Sequence, residues 1–471
     1  MKNVLYATTL ALALAACAQA PVQQPPAVPL ADSFRDIPAG WTQADANATT
    51  PALPANWWSM YGDPQLDALE QQLIANSPDL ASALARYRQA QAATGVARSA
   101  QSPTLGVSLN GQRTRQSDLK PLRGATSPSE YNSGTLQFDL GYEVDLWGRI
   151  SKQVSAGEAQ ERAADADLGA ARLSLQIQLA DTLLALRGAD ADLKLLRDTE
   201  AAYKRQADLM TRRHDGGNAS GLDLARAETQ LESTRSLLRQ RQAQRNVQEH
   251  AIAALVGANA ASFSVASNDS NAFVTPELPL GVPSQLLQRR PDIAAAALRV
   301  AAASDQLGVA RTALFPSLVL GVSGGYQTSD FDRFARASNL FWAVGPTLAV
   351  NLLDGGRRKA QIAGAEASLD EAGQRYRSVV LSAFQQVEDQ LSLLTNYSEA
   401  AKSDHLAASA AQRALDLATK RYDQGAASYL EVVTAQTAYL QSRRSELDLT
   451  TRYRQAGVQL VKAIGGGWTA S

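Results

Sequence analysis

The residues that could do chemistry in this chain are few, and their spacing argues against catalysis. The 471 residues include three histidines and one cysteine. That supply is too small for a metal centre or for a thiol nucleophile with its base. No nucleophile, base and orienting group recur at a recognisable spacing. Gly355-Gly356-Arg357-Arg358 lacks the Gly-Lys-Ser/Thr ending that a phosphate loop needs. The expectation is no enzyme, no cofactor and no metal. What remains is one thiol near the start and two acidic, aromatic clusters deep in the chain.

The thiol is Cys17. Residues 1–16 form a short apolar stretch behind Lys2, a signal peptide in length and flank and too short to span a bilayer. Leu14-Ala15-Ala16-Cys17 resembles the bacterial lipobox, in which the cysteine becomes the lipidated N-terminus. Ala18 follows rather than Asp, so by analogy with that class the inner-membrane retention signal is missing. Several buried acyl chains, at about 0.8 kcal/mol per CH₂, anchor firmly. The mature chain is then expected to carry no free thiol and no disulfide, although it lies in an oxidising compartment. Residues 17–62 read as a lipid-anchored tether, rich in Pro, Ala and Thr as far as Asn56. Structure is expected to begin at Trp57-Trp58, with Asp63 as cap and Pro64 in the first turn of a helix.

The two clusters are copies of each other. Arg213-His214-Asp215-Gly216-Gly217-Asn218-Ala219-Ser220-Gly221-Leu222-Asp223 returns as Arg421-Tyr422-Asp423-Gln424-Gly425-Ala426-Ala427-Ser428-Tyr429-Leu430-Glu431. Upstream, Pro78-Asp79-Leu80-Ala81, Gly95-Val96-Ala97-Arg98 and Pro103-Thr104-Leu105 return as Pro291-Asp292-Ile293-Ala294, Gly308-Val309-Ala310-Arg311 and Pro316-Ser317-Leu318. A period of roughly 210 residues is far longer than the 20–50 of a solenoid unit, so the chain reads as a duplicated half-protein. The first repeat is placed at 63–275 and the second at 276–471.

Each cluster needs elements to hold it. Gly217 and Gly425 fit the residue just past a helix end, where φ is positive. Ser220 and Ser428 fit the next N-cap, with Asp223 and Glu431 three residues on as in a capping box. Two tight tips, 215–221 and 423–429, therefore join long helices that return along 221–256 and 429–464. No Pro interrupts Gly148 to about His214, a run that makes a helix of roughly 100 Å, with a break near Gly188 open. Its counterpart runs from about Gly356 to Tyr422. Leu173, Ile177, Ala180 and Leu184, and then Val380, Phe384, Val387, Leu391 and Leu394, follow coiled-coil spacing.

Four strands break the helical pattern, at about 104–115, 134–147, 316–327 and 339–353. Leu136, Phe138, Leu140, Tyr142, Val144 and Leu146 alternate with polar or small residues. The last strand is interrupted at Pro346. Such alternation suits a half-buried soluble strand or a transmembrane barrel strand. Four strands cannot close a membrane barrel, whose smallest single-chain form has about eight. A membrane reading therefore requires several copies to share one barrel; three would supply twelve strands. Asp139, Glu143 and Asp145 then line a lumen or are simply solvated. Trp147, Phe341 and Trp342 sit in an interfacial girdle or in a core. The near-neutral net charge, −1, argues against a nucleic-acid partner.

The lipobox, Trp57-Trp58 with Asp63-Pro64-Gln65-Leu66, the duplicated blocks, Asp145-Leu146-Trp147-Gly148-Arg149 and Arg421-Tyr422-Asp423-Gln424-Gly425 resemble the TolC-like outer-membrane factors. The closer likeness is to their lipoprotein branch, which serves resistance-nodulation-division efflux pumps. The resemblance covers nearly the whole chain. It implies a mainly α fold with a membrane β-barrel part: a homotrimer with a twelve-stranded barrel, four strands per protomer. That barrel is continuous with a long α-helical coiled-coil barrel and a small mixed equatorial domain. It implies a passive, lipid-anchored conduit in the bacterial outer membrane, extending into the periplasm. The conduit would export small molecules from an inner-membrane pump through a periplasmic adaptor protein. A conduit for type I protein secretion and a periplasmic structural coiled coil are the alternatives.

The resemblance also implies a gate at the periplasmic tips. Carried over by position, Asp223 and Glu431 match its acidic positions and Tyr422 its tyrosine, while His214 stands at the tyrosine position of the first repeat. Asp215, Asp423, Arg213 and Arg421 are the ionic candidates nearby. Gly217, Ser220, Gly425 and Ser428 shape the tips that would meet the adaptor. Ala427 and Thr434 depart from the family's arginine and second acidic positions. Asp223 and Glu431 equally suit plain helix capping at a positive N-terminus.

Overall fold

The computed structural model describes residues 25–29, 31, 33–38, 41, 53–121, 124, 126–267, 276, 278, 280 and 283–469. The leader, Cys17 and much of the tether lie outside the described residues. The described chain divides into two compact units. One takes residues 87–164 and 296–376; the other takes residues within 27–86, 165–295 and 377–471. Each sequence repeat thus contributes to both units.

The first unit is organised around one antiparallel sheet. Its strands are β1 (Thr104–Arg115), β2 (Glu130–Val144), β3 (Ser317–Thr328) and β4 (Leu340–Ala349), in that order across the sheet. Thr104 pairs with Gly141, Val144 with Leu318, and Ser317 with Ala349. The central β2–β3 contact therefore joins the two repeats. Gly325 makes it possible, because a Cβ there would strike the Leu136 carbonyl. β4 runs through Pro346, which an edge strand tolerates because its outer N–H positions need no partner within the sheet. It stops at Ala349, so the fully exposed Leu352 and Leu353 lie beyond it.

The alternation read from the sequence produces an uncovered apolar stripe. Leu105, Val107 and Leu109 on β1 are 71%, 66% and 76% exposed, and Trp342 on β4 is 73% exposed. A half-buried soluble strand would hide this face. Two of the polar positions take local partners. Glu143 is held bidentately by Arg149, with nitrogen–oxygen distances of 2.8 and 2.7 Å. Asp145 lies past β2 and caps the next helix, accepting from the backbone N–H groups of Ile150 and Ser151 at 3.0 and 2.8 Å. Asp354 repeats this cap in the second half, accepting from Gly356 and Arg358. Trp147 stacks on Phe315 at 4.8 Å and donates to the Pro316 carbonyl at 2.7 Å, so it is a packed residue. Trp342 and the half-buried Phe341 remain on the strand.

The helices are α1 (Pro64–Asn76), α2 (Pro78–Ser99), α3 (Arg149–Asp215), α4 (Gly221–Leu255), α5 (Pro283–Arg289), α6 (Pro291–Thr312), α7 (Arg357–Asp423) and α8 (Tyr429–Ala463). α3 and α7 each span 67 residues. α3 is unbroken at Gly188, where a Cβ would come within 2.5 Å of Thr451 Oγ1; the glycine admits α8.

The second unit packs α3, α4, α7 and α8 around the expected seams. Ile177, Ala180, Leu184, Val387, Leu391 and Leu394 are all buried in one apolar cluster with Leu66, Leu73 and Val458. Trp57 meets Trp58 and Tyr61 edge-on at 6.0 and 6.1 Å. Asp63 caps α1 through Gln65 and Leu66 and faces Arg187 at 3.3 Å. Charged ties cross the helices: Asp192 of α3 meets Arg241 of α4 at 3.1 Å and Arg444 of α8 at 2.9 Å, and Asp190 meets Arg245 at 2.8 Å.

Two tests follow from this packing. Gly325→Val should break the β2–β3 register at a cost of about 2 kcal/mol or more, because the backbone cannot yield. Gly364→Ala, on α7 in open space, should be neutral or stabilising; the midpoint of thermal trimer dissociation on gels compares them. The second test concerns Glu70, whose carboxyl oxygens are buried without a hydrogen-bond partner. Burial raises its pKa from 4.5 to about 9; Arg172 opposes the shift and Asp67 adds to it. The folded protein keeps a proton that the unfolded chain releases, so stability falls as pH rises between about 4.5 and about 9. Glu70→Gln should flatten that part of the stability–pH curve; an unchanged slope counts against the buried acid.

Candidate functional site

The two tips share one backbone design. Gly217 and Gly425 have φ of +75° and +73°. In the first tip the Gly217 N–H donates to the His214 carbonyl at 2.9 Å and the Asn218 N–H to Arg213 at 2.7 Å. In the second, Gly425 donates to Tyr422 at 2.9 Å and Ala426 to Arg421 at 2.8 Å. This pair of bonds closes a helix C-terminus on a left-handed residue. Side chains then part ways. Ser220 Oγ accepts from the Asp223 N–H at 3.1 Å and donates to the Asp223 carboxylate at 2.8 Å. Ser428 stands at the same N-cap position but makes no side-chain cap bond.

The freed second tip reaches across. Tyr422 on α7 accepts a hydrogen bond from Arg213 Nη1 of α3 at 3.3 Å, and the guanidinium lies 5.7 Å from the centre of the Tyr422 ring. The same hydroxyl donates toward Met210 Sδ at 3.7 Å. Tyr429 packs on Tyr422 at 5.6 Å and is buried with Tyr203, Met210 and Val432. Burial pushes the Tyr203 and Tyr429 phenols up to about 12, so both stay neutral near neutral pH. His214, the counterpart of Tyr422, instead turns back to the Ala219 carbonyl of its own tip at 3.1 Å. The pseudo-symmetry breaks at this position among others, and the break here ties the α3–α4 hairpin to the α7–α8 hairpin.

The remaining candidates serve locally. Arg421 faces Glu431 at 3.5 Å and donates to the Ala426 carbonyl at 3.2 Å, all within the second tip. Asp223 adds Arg226 at 3.4 Å to its capping role. Asp215 and Asp423 are exposed, and neither forms an ion pair among the described residues. Sequence reasoning missed Tyr203, Met210 and Tyr429. Tyr203, Ala207 and Met210 carry the 4-3 seam spacing, which would have exposed that face. Tyr429 has only Gly221 as its counterpart and carries no periodic signal.

Comparison with known proteins supplies the context. A family model described as outer membrane efflux protein matches residues 69–258 and 282–466, one match in each repeat. Over 465 residues the chain is 30% identical to the outer membrane protein OprJ of Pseudomonas aeruginosa, covering 98% of this chain and 95% of that protein. It is 32% identical over 478 residues to the pyoverdine export outer membrane protein OpmQ of the same organism, covering 99% and 97%. A crystal structure of a Pseudomonas aeruginosa membrane protein superposes with a TM-score of 0.87 at 28% identity, covering 97% of this chain and 99% of the other. Channels of this kind are trimers in the outer membrane, they work with adaptor and pump partners, and they are not enzymes. By sequence and by fold alike, the chain belongs to the outer membrane efflux protein family.

Proposed function

We propose that this efflux channel is closed at its helical tips by a latch in which Arg213 of α3 holds Tyr422 of α7. The Arg213–Tyr422 contact carries the reading, because it joins the two hairpins at the tips through side chains of both repeats, beside the Tyr422–Met210 contact. Opening would separate α7 from α3 and release it. A charge-assisted hydrogen bond contributes about 1.5–3 kcal/mol. The cation–π contact adds about 0.5–1 kcal/mol. Three copies acting together would hold the pore firmly yet reversibly. The Arg421–Glu431 pair is half-exposed on both sides, so it contributes at most about 1 kcal/mol and weakens with salt. Its role is to keep the second tip in shape.

In this reading Cys17 carries the lipid that fixes the chain to the outer membrane. The tips around Gly217, Ser220, Gly425 and Ser428 meet the periplasmic adaptor, which connects the channel to a resistance-nodulation-division pump for small-molecule export. Asp215 and Asp423, exposed beside the tips, add negative charge at that end. Energy comes from the pump; the channel contributes a path and a closure.

Single-channel conductance in planar bilayers tests the latch. Tyr422→Phe loses the hydrogen bond and keeps the ring, so open probability should rise by about tenfold for each 1.4 kcal/mol removed. Tyr422→Ala and Arg213→Ala should rise further, and Glu431→Ala least. Equal conductance in wild type, Tyr422→Ala and Arg213→Ala would remove the latch from the gate.

A further inference from the structure

Away from the tips, the second unit contains a cavity of about 730 Å³ between α3, α7 and α8, bordered by Gly62, Asp63 and Pro64. Sites for drug-sized molecules run about 300–1,000 Å³. Leu195, Leu440 and Leu447 give it an apolar wall. Its cations are already engaged. Arg187 faces Asp63 at 3.3 Å, and Asp63 also caps α1 through Gln65 and Leu66. Arg443 is paired with Glu446 of its own helix. Lys194 and Arg454 each interact with another group of the chain. Asp198, the other carboxylate of the lining, is exposed to water. A neutral polar atom is left over. Gln436 lines the cavity, and its side-chain oxygen is buried with no hydrogen-bond partner among the described residues. An acceptor in that position gives up its bonds to water and recovers them only from a donor brought to it.

We propose that this cavity binds a neutral single-chain amphiphile whose head is a hydrogen-bond donor, an alcohol of the fatty kind, with its hydroxyl on the Gln436 side-chain oxygen and its chain along the leucines. The apolar wall removes the chain from water. The hydroxyl supplies the donor that Gln436 lacks. A carboxylate of the same length brings a second acceptor to Gln436 and finds every cation of the lining engaged. An ammonium brings donors but gives up its hydration, with Asp63 already held by Arg187 and Asp198 in water. An ether of the same length keeps the chain and loses the donor. Neither Arg213 nor Tyr422 lines the cavity, so this site and the tip latch stand or fall separately.

The test uses the full-length trimer in lipid nanodiscs, titrated calorimetrically with 1-octanol, methyl octyl ether, octanoate and octylammonium, empty nanodiscs being subtracted. Octanol should bind saturably, the ether about tenfold more weakly for its missing hydrogen bond, and the two ions not at all. Gln436→Leu should weaken octanol about tenfold, to the level of the ether, and leave the ether unchanged; a merely structural role for Gln436 would weaken both alike. Leu447→Trp, which fills the cavity, should abolish binding of both. No saturable octanol binding beyond empty nanodiscs, equal affinity for octanol and the ether, saturable binding of either ion as tight as octanol, or octanol affinity unchanged in both variants would overturn the site. If a variant fails to assemble, the comparison of the four ligands on the wild-type trimer decides alone.

Discussion

Unpaired backbone at the outer strands is the constraint on which the molecule depends. The sheet of each chain ends at β1 on one side and β4 on the other. Both strands also carry apolar side chains that nothing among the described residues covers. In hydrocarbon an unpaired N–H or carbonyl costs several kcal/mol, and no water is present to satisfy it. A single chain therefore cannot keep this sheet in a membrane. Joining copies edge to edge removes the free edges, and the trimeric family to which the chain belongs does this. Oligomerisation is thus a condition for the barrel to exist. The same constraint explains Gly325: β2 and β3 must approach across the repeat boundary without a Cβ in the way.

The helical unit solves a different problem. Long helices rich in alanine offer little apolar area per turn, so the seams are supplemented by charge. Asp190 and Asp192, both buried on α3, receive arginines from α4 and α8. Removing one partner would strand a buried charge at a cost of about 3–5 kcal/mol. These ties fix which helix faces which along the unit, and their side chains are distinct from those of the tips. The tips are held by fewer and more exposed contacts. Stability concentrated along the helices and thin at their ends suits an element that opens at its ends.

Duplication explains much of the structure, and its failure explains the site. Both tips use the same glycine geometry, and both long helices begin at an aspartate cap. Where the repeats differ, as at His214 against Tyr422, the contact crosses between hairpins. A phenol is long enough to reach Arg213 and offers both an acceptor and a ring face. An imidazole in the first tip finds a carbonyl of its own turn first.

The amino-acid sequence by itself determined the duplication, the helix lengths, the strand alternation and the positive-φ glycines. Each of these is local, set by spacing or by one residue's conformational freedom. It also placed Tyr422, Arg213 and Glu431 in the right neighbourhood, through likeness to a family. Only the tertiary structure decided which of them meet. Glu143 and Asp145 read as a polar strand face, yet they are consumed by Arg149 and a helix N-terminus. Ser428 reads as a cap but makes no such bond. Tyr203, Met210 and Tyr429 pack with Tyr422 because α3, α7 and α8 converge there, a fact no single helix's periodicity contains. Periodicity states which face a helix buries; the choice of partner for that face is made by packing between segments far apart in the chain.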